Sequence, residues 1–307
     1  FVDLLRKAKQ TYWQILPLGP TGFGDSPYQG PSAFAGQPLI ISPDKLKEKG
    51  LLTDEDLRDI PRSDPRKIDY GPVINYKNSL LRKAFHTFHH TPDKLMLEEF
   101  EAFCEQEKAW LDDYCLFMAV KDAHEGRCWL DWEEDIRLRK SAALKEWKET
   151  CAENIRYYQF VQFIFRMQWE ALREYAHGKD VKIIGDIPIF IALDSCDVWA
   201  NRKYFKLDTK GFPTHVAGVP PDYFSATGQL WGNPLYDWDA HKASGYKWWI
   251  ERVRCQLALT DYLRIDHFRG FEAYWAVPAD EETAENGTWE KGPCESLFEE
   301  IGRASCR

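Results

Sequence analysis

Apolar residues recur at helical spacing over Phe1, Val2, Leu4, Leu5 and Ala8, after which Tyr12-Trp-Gln-Ile-Leu-Pro17 reads as a short strand ended by proline. From Leu18 to Pro43 the pattern dissolves into a segment dense in Pro and Gly, which predicts a long ordered loop. Residues 44 to 178 return to helical periodicity. Leu80, Leu81, Ala84, Phe85 and Phe88 form one apolar stripe, and Phe160, Phe163, Ile164, Met167 and Leu172 form another. Val181-Lys-Ile-Ile-Gly-Asp-Ile-Pro-Ile-Phe-Ile191 has the pattern of a buried strand with one carboxylate, Asp186, inside it. A second irregular stretch, Gly211 to Asp239, precedes a helix predicted over Tyr246 to Leu257. Leu257, Leu259, Tyr262, Leu263 and Ile265 then read as a strand that ends at Asp266.

Strand, helix and strand in succession, with long loops after the strands, predict an α/β chain built as part of a (β/α) barrel. In that architecture chemistry sits at the carboxyl ends of the strands, which is where the pattern places Asp266. Arg264, two residues earlier, shares its face. A carboxylate beside a guanidinium keeps its charged form, as a nucleophile requires, but a structural Arg-Asp pair capping a strand has the same spacing. The pattern alone leaves both readings open. Asp186 raises a similar question, because a buried carboxylate costs free energy unless it is paired or functional.

Composition narrows the partners. With 44% hydrophobic and 15% aromatic residues, the 307-residue chain has ample material for a core. A formal charge of -9 without any Lys/Arg block argues against nucleic acid and anionic membrane, and no apolar run approaches the roughly 18 residues of a membrane span. Many of the 13 Trp, 14 Tyr and 18 Phe fall in loops, where flat rings suit sugars or bases. The eight cysteines show no C-x-x-C pair or regular spacing, which indicates neither zinc nor a disulfide framework and points to a reducing cytoplasm. No metal or organic cofactor is implied. Phe1 opens inside an amphipathic pattern instead of on a start Met or signal peptide, so the chain is expected to begin mid-protein.

Six motifs, in order, resemble the 4-α-glucanotransferases, the amylomaltases or disproportionating enzymes of the α-amylase clan. They are Trp13-Gln-Ile-Leu-Pro-Leu-Gly-Pro20, Gly24-Asp-Ser-Pro-Tyr-Gln29, Gly185-Asp-Ile-Pro-Ile-Phe190, Gly218-Val-Pro-Pro-Asp-Tyr-Phe-Ser225, Gln229-Leu-Trp-Gly-Asn-Pro234 and Arg264-Ile-Asp-His-Phe-Arg-Gly270. The resemblance implies a partial (β/α)8 TIM barrel with inserted, largely helical subdomains. The boundaries expected are residues 1–43 for a barrel portion with the first substrate loop, 44–178 for a helical insertion, and 179–300 for a barrel portion with a lid loop and the nucleophile strand.

The resemblance also implies a retaining transfer between α-1,4-glucans or maltooligosaccharides. Asp266 would be the nucleophile, and Arg264 would orient it. Sugar-contacting positions implied are Ser26, Tyr28, Asp186, Asp222, Tyr223, Gln229, Trp231, Asn233 and His267, with Tyr28 and Trp231 as stacking platforms and Gly218 to Ser225 as a water-excluding lid. The family's general acid, a Glu in an Ala-Glu-Asp-Leu-Gly context, and its third carboxylate find no counterpart in the 307 residues. The chain is therefore expected to be a fragment lacking its acid, and unable to complete the cycle alone. Residues 301–307 depart from the family pattern and can be back-translated as a common sequencing adapter, so they are expected to be an artefactual tail. Two other functions fit these motifs: an α-glucan hydrolase or debranching-type transferase, and a non-catalytic glucan-binding protein.

Overall fold

The computed structural model describes residues 1–61, 64, 66–91 and 93–305; Cys306 and Arg307 of the expected tail lie outside the described residues. Seven strands are present among them: β1 (Tyr12–Gln14), β2 (Lys182–Pro188), β3 (His215–Val219), β4 (Gln229–Pro234), β5 (Tyr262–Asp266), β6 (Ala273–Pro278) and β7 (Thr288–Lys291). The helices are α1 (Val2–Lys7), α2 (Pro43–Glu48), α3 (Tyr70–His90), α4 (Lys94–Gln106), α5 (Lys108–Ala123), α6 (Glu134–Arg137), α7 (Ser141–Thr150), α8 (Ala152–His177), α9 (Cys196–Ala200), α10 (Trp238–Ala243), α11 (Lys247–Leu259) and α12 (Glu295–Ser305).

β1, β2 and β5 form a parallel sheet in that order, with helical crossovers between its strands. This is the construction of part of a (β/α)8 barrel. In β2 the side chains alternate: Ile183 and Ile187 are buried against the helices, while Lys182, Ile184, Asp186 and Pro188 share the opposite face. Register carries that second face across the sheet through Tyr12, Gln14, Tyr262, Arg264 and Asp266. At Gly185 the sheet lies close against the end of α11. A Cβ there would lie 2.7 Å from Cγ2 of Thr260.

The segment Gly211 to Asp239, expected to be irregular, contains β3 and β4, which join β6 and β7 in an antiparallel sheet of order β4-β3-β6-β7. A register shift between Val216 and Gly218, with Pro and Gly at the strand ends, hides these short strands from a periodicity reading. Leu257 and Leu259, read as the start of a strand, instead form the last turn of α11. Leu172 was expected in an apolar stripe but is 37% exposed. The stripe of α3 is buried as predicted.

Two main apolar clusters hold the fold, and both draw on residues within 44–178 and on residues from the strand regions. One joins Leu116, Phe117 and Trp132 to Ile187, Trp199, Tyr236 and Trp249; the other joins Leu81, Phe85 and Phe160 to Ile183 and Leu259. α12 continues into the expected tail as far as Ser305, with Ile301 packed partly on the first cluster. No helix among the described residues is long and apolar enough to cross a membrane.

Candidate active site

Because Asp186 and Arg264 are register partners on parallel strands, their side chains leave the sheet on the same face. Nη1 of Arg264 donates to Oδ2 of Asp186 at 2.7 Å, and Nη2 donates to Oδ1 of Asp266 at 2.5 Å. One guanidinium therefore spans two carboxylates in very different surroundings: the Asp186 side chain is 2% exposed, whereas that of Asp266 is 45% exposed. The Tyr28 hydroxyl donates to the same Asp186 oxygen at 2.9 Å, so the loop after β1 is tied to the sheet at this point. Burial and then the Asp186 hydrogen bond raise the Tyr28 phenol above its ordinary range, keeping it a donor. The charge of Asp186, ahead of that of Asp266, raises Arg264 above its already high value.

A cleft of 260 Å³ opens beside Asp266 and is lined by Tyr28, Trp231, Asn233 and His267, all expected site residues. His267 follows Asp266 in the left-handed region at φ 52, which turns the chain sharply at the strand's end. Its ring meets Trp231 edge to face at 4.8 Å. Burial lowers its pKa, opposed by Asp266 and assisted by Arg269, which favours a neutral imidazole at pH 7. Asn233 donates to the Ile191 carbonyl at 2.8 Å and accepts from Gln29 at 3.3 Å, so β4 is fixed to both loops around the cleft.

The remaining expected residues have structural partners instead of a place on that lining. The Ser26 hydroxyl accepts from the Tyr28 N–H, and Gln229 accepts from the Trp231 indole N–H. Asp222 accepts from the N–H groups of Phe224 and Ser225, closing the turn between β3 and β4 on which Tyr223 stands 96% exposed. Gln29, Pro188, Ile189 and Phe190 line the cleft without having been singled out. Phe190 sat in plain view inside the Gly185-to-Phe190 motif, and Gln29 directly follows Tyr28. A larger cavity of 570 Å³ lies among α5, α9 and α11, away from these carboxylates. Among the described residues no group of three His, Cys, Asp or Glu could hold a metal ion.

Chemically, Asp266 has one oxygen held by an arginine that is itself anchored on a buried carboxylate. Its Oδ2 accepts no hydrogen bond among the described residues. An oriented and partly uncommitted carboxylate facing a ring-lined cleft suits nucleophilic attack.

The chain is 50% identical over 303 residues to a 4-alpha-glucanotransferase of Clostridium butyricum, covering 98% of this chain and 61% of that protein. It is 48% identical over 305 residues to one of Synechocystis, covering 99% and 60%. The chain thus spans about three fifths of the length of these relatives. Its fold superposes on an amylomaltase of Streptococcus agalactiae, solved in complex with acarbose, with a TM-score of 0.95 at 40% identity, covering 99% of this chain and 61% of that one. An amylomaltase of Corynebacterium glutamicum shares the fold at a TM-score of 0.78 and 20% identity, covering 99% and 42%. The model of glycoside hydrolase family 77, described as 4-alpha-glucanotransferase, matches residues 1–307, and the chain belongs to that family.

Proposed function

We propose that the protein carrying this sequence is a cytoplasmic 4-α-glucanotransferase that moves α-1,4-glucan segments between maltooligosaccharides. Asp266 is the nucleophile, Arg264 orients it, and the donor chain is held as a covalent glycosyl-enzyme until a second sugar's 4-hydroxyl displaces it. The observation that carries this reading is the Arg264 fork between buried Asp186 and half-exposed Asp266 at the mouth of the cleft. Tyr28 and Trp231 offer rings to the sugar faces, and Asn233 and His267 offer polar atoms to its hydroxyls. Ser26 and Gln229 act by setting Tyr28 and Trp231, while Asp222 shapes the turn that carries Tyr223 over the cleft as a lid. In a retaining mechanism a protonated partner stands about 5 to 5.5 Å from the nucleophile.

Incubation of the whole protein with maltotriose tests this. Transfer yields glucose together with longer oligomers, whereas net hydrolysis to glucose and maltose would replace the reading with a hydrolase, and absence of turnover with retained binding would make it a glucan-binding protein. Asp266→Asn is expected to reduce transfer by at least about 10³-fold while the melting temperature stays close to that of the parent. Activity within tenfold of the parent would remove Asp266 from its role.

A further inference from the structure

α11 carries an arginine, Arg252, that is only 1% exposed. Burying a guanidinium costs several kcal/mol unless its donors are met, so its partners reveal what it is for. It forms no ion pair within 4.0 Å among the described residues. Its two terminal nitrogens donate instead to two consecutive main-chain carbonyls at the end of β2, Nη2 to Pro188 at 2.6 Å and Nη1 to Ile189 at 3.1 Å, while Nε has no hydrogen-bond partner among the described residues. The Tyr236 hydroxyl, 3.4 Å from the same Nη1, donates to the Ile189 carbonyl as well, at 2.7 Å. One helical turn on, Gln256 donates to the Ala33 carbonyl at 3.1 Å, on the loop that carries Tyr28.

The gripped segment is a wall of the cleft. Pro188 is the register partner of Asp266, and the Phe190 ring lies 6.4 Å from both Trp231 and His267. A cavity of only 30 Å³, lined by Arg252, Gln256, Tyr28 and Asp186, separates the guanidinium from the buried carboxylate that anchors Arg264. We propose that Arg252 is a positioning residue: by holding the Pro188 and Ile189 carbonyls it fixes the wall bearing Phe190, and with it the setting of His267 and Trp231 beside Asp266. The kinetic consequence rests on the glucanotransferase reading; the structural one does not.

The test uses Arg252→Met, Arg252→Lys and Tyr236→Phe in the whole protein, with two readouts. In maltotriose disproportionation, Arg252→Met is expected to lower kcat about 10- to 100-fold with KM changed under about threefold, Arg252→Lys to recover part of the loss, and Tyr236→Phe to lower kcat severalfold. In an NMR titration, the His267 midpoint is expected to move up toward its ordinary 6.5 as its packing on Phe190 loosens. Unchanged kcat and an unchanged His267 midpoint, alongside a lower melting temperature alone, would make Arg252 merely structural and overturn the proposal. Should Arg252→Met not fold, Tyr236→Phe, which deletes one oxygen, decides by the same criteria. If the parent transfers no glucan, the functional reading fails, and the His267 titration still decides the role of Arg252.

Discussion

Arg264 meets two demands at once, because one of its nitrogens is fixed on a buried carboxylate while another holds an exposed one. An exposed pair alone is worth little and leaves both side chains mobile. The anchor at Asp186 restrains Arg264, and through it the position of the Asp266 carboxylate. Asp186→Asn tests the anchor: the amide keeps an acceptor for Tyr28 but loses the charge that fixes Arg264. Transfer is expected to fall about 10²-fold, as for other small misplacements of reacting groups, with stability changed by less than about 2 kcal/mol. Equal activity in the two proteins would show that Arg264 needs no buried partner. The Arg264–Asp266 pair was expected from its own motif, but its meeting with Asp186 and Tyr28 was not. Asp186 and Arg264, 78 residues apart, are joined by the β2–β5 register, and Tyr28, 158 residues from Asp186, is brought in by the loop after β1, which pairs with β2. Arg252 was illegible for a different reason, since a charged residue in a helical pattern reads as part of a solvated face, whereas here it lies on the buried face of α11 with Trp248, Trp249 and Gln256.

At the scale of elements, β2 was the most legible strand, because near-continuous apolar residues mark a buried parallel strand, and β1 and β5 beside it were read from shorter apolar runs. β3 and β4 pair locally, as do β6 and β7, while β3 pairs with β6 across distant sequence; these strands are short and their burial alternates weakly, so the Gly and Pro between them dominated the pattern. Gly185 shows how a motif position can serve an element and not the chemistry. It lets β2 lie against the end of α11, where Thr260 is 1% exposed and its hydroxyl donates to Gln256. With Cγ2 at 2.7 Å and Oγ1 at 2.9 Å from an added Cβ, Gly185→Ala is expected to cost about 1–3 kcal/mol in urea unfolding. Thr260→Ser removes the nearer methyl group, so the double variant should recover part of that loss, and a purely additive cycle would show that the two do not touch. Because Gly185 immediately precedes Asp186, a shift of β2 would also reach the Arg264 fork, and transfer should fall together with stability.

Across the whole molecule, two buried groups pull the pH dependence of stability in opposite directions. Asp197 of α9 is buried, and desolvation outweighs its bond from the Ala33 N–H and the charge of Arg252, raising its pKa from 3.8 to about 6. His241 of α10 lies 0% exposed among Tyr204, Tyr236 and Trp248, and burial outweighs the pull of Asp237, lowering its pKa from 6.5 to about 4. Between those values the folded protein holds a proton on Asp197 that the unfolded chain has released, so this contribution is full below pH 3.8 and lost as pH rises through about 6. Over nearly the same window the unfolded chain holds a proton on His241 that the folded protein excludes, so stability from this group rises with pH from about 4 to 6.5. The two slopes have opposite sign, each at most about 1.4 kcal/mol per pH unit, and largely offset one another in the parent. Urea unfolding from pH 4 to 6.5 should therefore separate them. Relative to the parent, Asp197→Asn is expected to gain stability as pH rises, because only the histidine remains, whereas His241→Gln is expected to lose it. Taking differences from the parent removes the carboxylates common to all three proteins, and slopes of the same sign in the two variants would show that at least one of these groups titrates in the folded state as it does in water.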